Sequence, residues 1–335
     1  MLSTTLLLWL RRRSRSGRRS RAASRPAFVP RLLVLEDRTL LSTITVLTNA
    51  DSGPGSLRAA IADAQGGDQI VFDPSLYGQT ITLTSGQLAI SKDLDIEGPG
   101  ADQLAVSGNH QSRVFATSGG VTVTVAGLTI TDGQAAGAPG QGGGIQNAGS
   151  TLTVANVVLS DNQALGVGGN GAGGAIQSSS GATLTVTHSL FLHNQAIGSD
   201  AAGGGAIFIA PGSTATIADS TFIGNQTIGG DGPGVTGFAR GGGIFNNGTF
   251  TVANSSFVDN QAIAGNGGSG PPSGSFVLDF AAGGGTFSSG PSPSGIVRSP
   301  ATRPLEVPTP PAPSVAPAGS YSSAARAAGV CGMPG

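Results

Sequence analysis

Chemistry in this sequence would have to come from very few side chains, because charged residues make up only 10% of its 335 positions. Four aspartates, Asp132, Asp161, Asp219 and Asp259, stand near the ends of short apolar stretches. Arg240 is the only basic residue between Arg113 and Arg298. Carboxylates converging with one basic group could cleave a polysaccharide by proton transfer, or hold calcium. Each aspartate is isolated along the chain, so such a site requires separate segments to be stacked side by side. His188 and His193 are five apart around a strand. Strand alternation puts such residues on opposite faces, and no third ligand is evident, so both are expected to face solvent.

Other motifs carry less. Gly169-x-Gly171-x-x-Gly174 matches a dinucleotide fingerprint in letters, without the helix and distal acid that give it meaning. The GGxG pieces lack the regular Asp of calcium-binding nonapeptides. Asn225, Asn247 and Asn254 lie in N-x-S/T triplets, as expected of strands rich in Thr and Ser. Cys331 is the only cysteine, which excludes an intramolecular disulfide and a cysteine-based metal site. No Ser-His-Asp or Cys-His arrangement stands out. No catalytic, cofactor-binding or metal-ligating residue is therefore assigned, and no cofactor is expected.

The elements that would position any site come from an internal repeat. GGGI at 142–145, GGAI at 173–176 and 204–207, and GGGI at 241–244 share one pattern. Each leads into an alternating strand: TLTV at 151–154 and 183–186, TATI at 214–217, TFTV at 249–252. Each then reaches an apolar-x-x-Asn ending at Asn162, Asn194, Asn225 or Asn260, and these asparagines are 32, 31 and 35 residues apart. Self-similarity on this scale marks a solenoid. Helical repeats are excluded, since no segment here has apolar residues at helical spacing and Gly, at 56 positions, is too frequent. The expected fold is all-β: a right-handed parallel β-helix with an N-terminal cap containing one short helix.

Stacked coils explain the pattern. Ile145, Ile176, Ile207 and Ile244 should form one inward column, and Leu159, Phe191, Phe222 and Phe257 another. The four asparagines should stack at a corner, bonding amide to amide up the column. The paired glycines fit bends that need positive φ. From motif Ile to Asn the length is nearly constant, 17, 18, 18 and 16 residues. From Asn to the next motif it runs 14, 13, 19 and 26 residues, so variation collects in one loop per coil. Those loops, rich in Gly, Ala, Asp, Ser and Pro, read as flexible surface with almost no aromatic or Arg anchors.

The N-terminal part reads as a leader. Ten of the 17 basic residues lie at or before Arg38, and beyond it 16 acidic residues face seven basic ones. The acidic groups are scattered, so nothing in the body would neutralise phosphates and the body is not expected to bind nucleic acid. The basic cluster could itself bind nucleic acid or an anionic membrane, but reads first as a processed leader. Met1–Leu10 is apolar but too short to span a bilayer, and it precedes the charges where a signal peptide would follow them. An over-extended start or an atypical leader would account for that order. The stretch Leu35-Glu36-Asp37-Arg38-Thr39-Leu40-Leu41-Ser42 resembles the LEPR-type export motif of planctomycete secreted and surface proteins, with Asp37 where Pro is frequent.

At the start of the body, Ser56 precedes LRAAIADA and predicts an N-capped helix with Leu57, Ala60, Ile61 and Ala64 on one face, ended by Gly66-Gly67. Short strands follow. The GGA(I/L/V) and FxxN elements resemble polymorphic outer membrane protein repeats, and more broadly bacterial secreted right-handed β-helix proteins. The segment TITVLTNADSGPGSLRAAIADAQGGDQIVFDPSLYGQTITL resembles the opening region of planctomycete-type members. The first FxxN slot departs, with Leu159 for Phe, and the autotransporter barrel of membrane-anchored members has no counterpart. The resemblance implies an exported, structural or adhesive surface protein.

Four regions result: an Arg-rich leader at 1–42, the cap and first coils at 43–120, β-helix repeats at 121–290, and a Pro-rich tail at 291–335. Just before the tail a fifth motif, GGGT at 283–286, breaks off, and ten of the 20 prolines follow. A disordered stalk and a frameshift both explain that break. The expected protein is a monomer without a transmembrane helix, secreted or on the cell surface, non-catalytic, with surface polysaccharide or cell-envelope components as partners. A β-helix polysaccharide lyase or glycoside hydrolase is the alternative.

Overall fold

The computed structural model describes residues 41–231 and 237–265 and the backbone of 286–288. The leader up to Leu40, Gly283–Gly285, Cys331 and the Pro-rich tail lie outside the described residues. The described chain is an all-β parallel β-helix of about six turns. Every strand pair is parallel, and each strand bonds to its equivalent in the coils before and after.

One coil shows the path. After the bend at Gly142–Gly144 the chain runs Ile145–Ala148, Thr151–Ala155, Val158–Ser160, Gln163–Gly166 and Gly171–Ala172, then meets the next bend at Gly173. Stacked coils turn these five strands into five sheets, called here the isoleucine, threonine, phenylalanine, glutamine and short sheets. They hold seven, eight, seven, five and four strands. The first three enclose the core. The two predicted apolar columns are present: Ile145, Ile176, Ile207 and Ile244 are in register, as are Leu159, Phe191, Phe222 and Phe257. The phenylalanine rings stack nearly parallel, 4.4 and 4.6 Å between centroids. The strand separation of about 4.8 Å imposes that distance. Leu159 continues an aliphatic column from Val106 and Ile130, so the aromatic stack starts one coil later.

The asparagine ladder is also present and fully buried. Each Oδ1 accepts from the preceding coil: Asn194 Oδ1 takes the Asn162 backbone N–H and Nδ2, at 3.1 and 2.9 Å. Each Nδ2 also donates to a backbone carbonyl of the phenylalanine sheet, Ile130, Leu159, Phe191 or Phe222. A second ladder, unforeseen from the sequence, lines the threonine-to-phenylalanine corner. Ser189, Ser220 and Ser255 hydroxyls accept the backbone N–H of Val157, Ser189 and Ser220, each at 3.2 Å. Buried polar groups cost least when paired this way.

Three expectations need correction. Only the first glycine of each pair has positive φ: Gly142, Gly173, Gly204 and Gly241, at 61–67°. The second is glycine for lack of room, because a Cβ on Gly143, Gly174, Gly205 or Gly242 would strike the backbone of the glutamine strand beside it. The loops read as flexible surface carry two further ladders of strands, including stacked Gln134, Gln163, Gln195, Gln226 and Gln261. The helix, Leu57–Asp63, stops at Ala64, before Gly66. Before Val121, Asp68–Phe72 and Leu94–Glu97 already belong to the threonine sheet. Beyond the last full coil, Thr286–Ser288 pairs with Ile244–Asn246, so a further strand begins at the threonine of the GGGT motif.

The N-terminal end is covered. Ser56 caps the helix, accepting the Ala59 N–H at 3.2 Å, and Leu57, Ala60 and Ile61 are buried. Asp51 ties this cap to the first coil. Its carboxylate pairs with Arg58 at 2.6 Å and accepts from the backbone and hydroxyls of Thr84 and Ser85. Burial alone would raise the Asp51 carboxyl, but the bonds from Ser85, Arg58 and Thr84 outweigh it and hold the group well below the usual carboxylate range. Among the described residues no helix is long and apolar enough to cross a membrane.

Candidate functional site

The aspartates and histidines singled out by type turn out to share a backbone role. Asp132, Asp161, His193, Gly224 and Asp259 occupy equivalent positions at the phenylalanine-to-glutamine corner, all with φ between 52° and 61°. Gly127, Asn156, His188, Asp219 and Asn254 do the same at the threonine-to-phenylalanine corner, with φ of 49–61°. Left-handed positions favour Gly, Asn, Asp and His, which accounts for these residue types by turn geometry. The two corners separate Asp219 and His188 from Asp161 and His193. His188 approaches Asp219 at 3.9 Å and His110 approaches Asp132 at 3.4 Å. Both His188 and His193 face solvent. Among the described residues no three His, Cys, Asp or Glu side chains gather as a metal site would need.

The other marked motifs are absorbed by the fold. Gly171 lies in the short sheet and Gly174 in a bend, with no helix following. Asn225 is locked in the buried ladder. Asn254 is a left-handed corner residue, and Asn247 sits at the rim of a cleft.

That cleft is where chemically distinct side chains meet. Its volume is about 320 Å³, and it opens over the short sheet, on the side where loop length varies. The strands Gly140–Gln141, Gly171–Ala172, Ala202–Gly203 and Ala239–Arg240 supply its floor. Small residues keep that floor low. A Cβ on Gly203 would meet the Phe245 ring, so glycine there lets Phe245 lie against the strand. Phe208 and Phe245 follow the column isoleucines Ile207 and Ile244, so alternation turns them outward into the cleft wall. Their rings meet edge to face at 5.4 Å and 62°.

Arg240 completes the arrangement. Its guanidinium carbon lies 5.1 Å from the Phe238 ring centre and 5.8 Å from that of Phe245. Both distances fall within cation–π range. Backbone bonds fix its strand, since Ala202 N–H donates to Phe238 O and Gly204 N–H to Arg240 O, at 2.7 and 2.9 Å. Across the floor, Gln141 is held by Gln146, whose Nε2 donates to its Oε1 at 3.2 Å. Arg113 fixes the same strand from behind, donating to the backbone carbonyls of Gln141 and Gly142. Burial pushes the Arg113 guanidinium below its ordinary value, yet a guanidinium stays charged in proteins.

The cleft thus offers one cation, three aromatic rings, and amides from Gln141, Asn170 and Asn247. Among the described residues that line it, none is a carboxylate or a histidine. Of the aspartates, histidines and arginine weighed from sequence for chemistry, only Arg240 is here, and the aspartates are at the corners. Sequence reasoning missed Phe208, Phe238 and Phe245. The usable signal was the insertion GFAR at 237–240, which carries the one arginine of the central repeats.

No protein-family model and no curated protein matches this sequence. Among solved structures, the chain is similar to the crystal structure of an alginate lyase from Paenibacillus sp. str. FPU-7. The TM-score is 0.34 and the identity 15%, over 68% of this chain and 95% of that one.

Proposed function

We propose that the protein is an exported surface β-helix that holds polysaccharide at the Phe238–Arg240–Phe245 cleft without cleaving it. The carrying observation is the guanidinium set between two phenylalanine rings above a floor of small residues. Sugar rings present C–H faces that pack on aromatic planes, and hydroxyls or carboxylates that a planar guanidinium can bond in pairs. Amides at the rim add orientation, as in most ligand clefts. Breaking a glycosidic linkage would also need a group that gives or takes a proton within about 3 Å of the reacting atom. Amides and a permanently charged guanidinium do not do that at neutral pH. Export is supported by the Arg-rich leader and the LEPR-like stretch at 35–42.

The test uses the full chain with alginate, pectate and neutral glucans. Affinity electrophoresis reads binding, and the size distribution of the polymer reads cleavage. Retardation with no shortening is expected, and it should weaken in Phe238→Ala and Arg240→Ala. Shortened polymer or release of unsaturated ends would overturn the reading in favour of a lyase. If cleavage then vanished in Asp161→Asn or Asp219→Asn, the catalytic role would move to the corners.

A further inference from the structure

Among the described residues, the outer face of the threonine sheet has a chemistry unlike that of the other sheets. In each Thr-x-Thr strand the middle residue points inward, and the two threonines point out. Strand register then stacks them into columns: Thr122, Thr151, Thr183, Thr214 and Thr249 form one. Thr124, Thr153, Thr185, Thr216 and Thr251 form the second. A third outward column beside them is Ala126, Ala155, Thr187, Ala218 and Ala253. The result is a grid three columns wide and five coils deep, with neither a charged nor a large side chain in it.

Its hydroxyls are unused. In the neighbouring sheet Thr129 donates to Ala101 O at 2.6 Å, and Thr131 accepts from Ser160 at 3.0 Å. Among the described residues, the ten hydroxyls of the two outer threonine columns have no such partner, and all ten side chains are exposed or half-exposed. The grid is also rigid. The backbone fixes a repeat of about 4.8 Å between coils and about 6.6 Å along a strand, and a β-branched side chain has little χ1 freedom left to lose.

We infer that this face binds ice. A flat, neutral, periodic array of hydroxyls and methyls suits a periodic neutral solid. A solid built of water oxygens can be met by hydroxyls in hydrogen-bond register, with methyls settling between its rows. The spacing of oxygens along ice rows is close to the strand separation, so a match at one coil recurs at the next four. Each contact is weak, but five coils engage together, and pre-ordering removes most of the entropy cost. A soluble saccharide would favour aromatic planes, and those lie at the cleft. An acidic or basic partner would need opposite charge, which this face lacks.

The full chain is tested by growing ice slowly from a dilute solution that also holds an inert protein, reading the fraction of each in the solid and the crystal habit. Incorporation of the chain with faceted crystals is expected. Thr185→Tyr raises one bulky ring from the middle of the grid and should lose incorporation while keeping the circular dichroism and melting temperature of the parent. Gln195→Tyr, on the glutamine sheet, should keep it, as should the cleft variant Arg240→Ala. If Thr185→Tyr fails to fold, Thr185→Val, which keeps the shape and removes the hydroxyl, gives the same reading through a smaller loss. Exclusion of the parent chain from ice overturns the inference, and so does equal incorporation of the Thr185 variants. Retention on crystalline cellulose or chitin without entry into ice, or a face-to-face dimer broken by Thr185→Tyr, would reassign the face.

Discussion

The threonine face and the cleft face are built from the same coils and obey opposite rules. On the threonine side each of the last five coils spends the same five residues per strand, and equivalent residues coincide over all five. On the cleft side the segment between the ladder asparagine and the next bend changes length, and the outward column changes character from Gln146 and Gln177 to Phe208 and Phe245. Constant length makes a lattice, and variable length makes a pocket. The boundary between the two regimes is the asparagine ladder, which resets the register before each variable segment begins. A solenoid can therefore vary one side freely because a buried polar column pins the other.

Breaking the shared stack should injure both faces, and the largest effect is expected in the aromatic column. Phe222→Ala removes a ring stacked on both neighbours and should cost about 3–5 kcal/mol, read from urea denaturation. Asn194→Ala comes next. It removes the Asn194 Oδ1 that accepts the Asn162 backbone N–H and one Nδ2 hydrogen, and the Nδ2 that donates to Leu159 O, at about 3 kcal/mol. Gly205→Ala should cost at least about 2 kcal/mol, because a Cβ there meets the backbone of the Gln226 strand and of the bend at Gly242, which cannot both retreat. If Gln195→Ala, in the half-buried glutamine column, cost as much as Asn194→Ala, the claim that the asparagine corner is the pin would fail.

A smaller effect separates the cap from the repeats. Asp51 has a folded pKa below its unfolded value, so its contribution to stability is complete above the ordinary carboxylate value, about 3.9. It is lost as the pH falls below that value toward the depressed one. Asp51→Asn should therefore destabilise the protein by about 2 kcal/mol at pH 7 and by progressively less in acid. Unfolding midpoints at neutral and strongly acidic pH read the difference, and an equal penalty at both would show that charge is not what matters. The smallest stability change belongs to the cleft. Arg240→Ala should stay within about 0.5 kcal/mol of the parent while weakening polysaccharide binding about tenfold. Substantial unfolding in that variant would mean that Arg240 serves the coil before it serves a ligand.

Much of the stack was legible because its residues recur. Ile145, Ile176, Ile207 and Ile244 could be placed in one column from spacing alone, and so could the four ladder asparagines. The first coils were less legible. Leu94–Glu97 and Leu104–Ser107 keep the geometry without the GG bend or the terminal Asn, and inward Leu, Ile and Val carry them through packing alone. The candidate site was legible only in Arg240. Phe238 and Arg240 come from one insertion, Phe208 and Phe245 from two isoleucine strands, and Gln141 and Asn170 from earlier coils. No linear spacing connects them.

By itself the sequence determined the solenoid, its inward columns, the buried amide corner and the side on which length could vary. These follow from alternation and a constant repeat, which are local rules applied many times over. Only the tertiary structure decided what the aspartates and histidines were for. Their shared left-handed backbone is a property of corners, and a corner exists only once the strands on either side have found their sheets. The same holds for the two outer surfaces. Ten threonines become a lattice, and three phenylalanines with one arginine become a cleft, only when parallel register brings residues about thirty positions apart within about 5 Å.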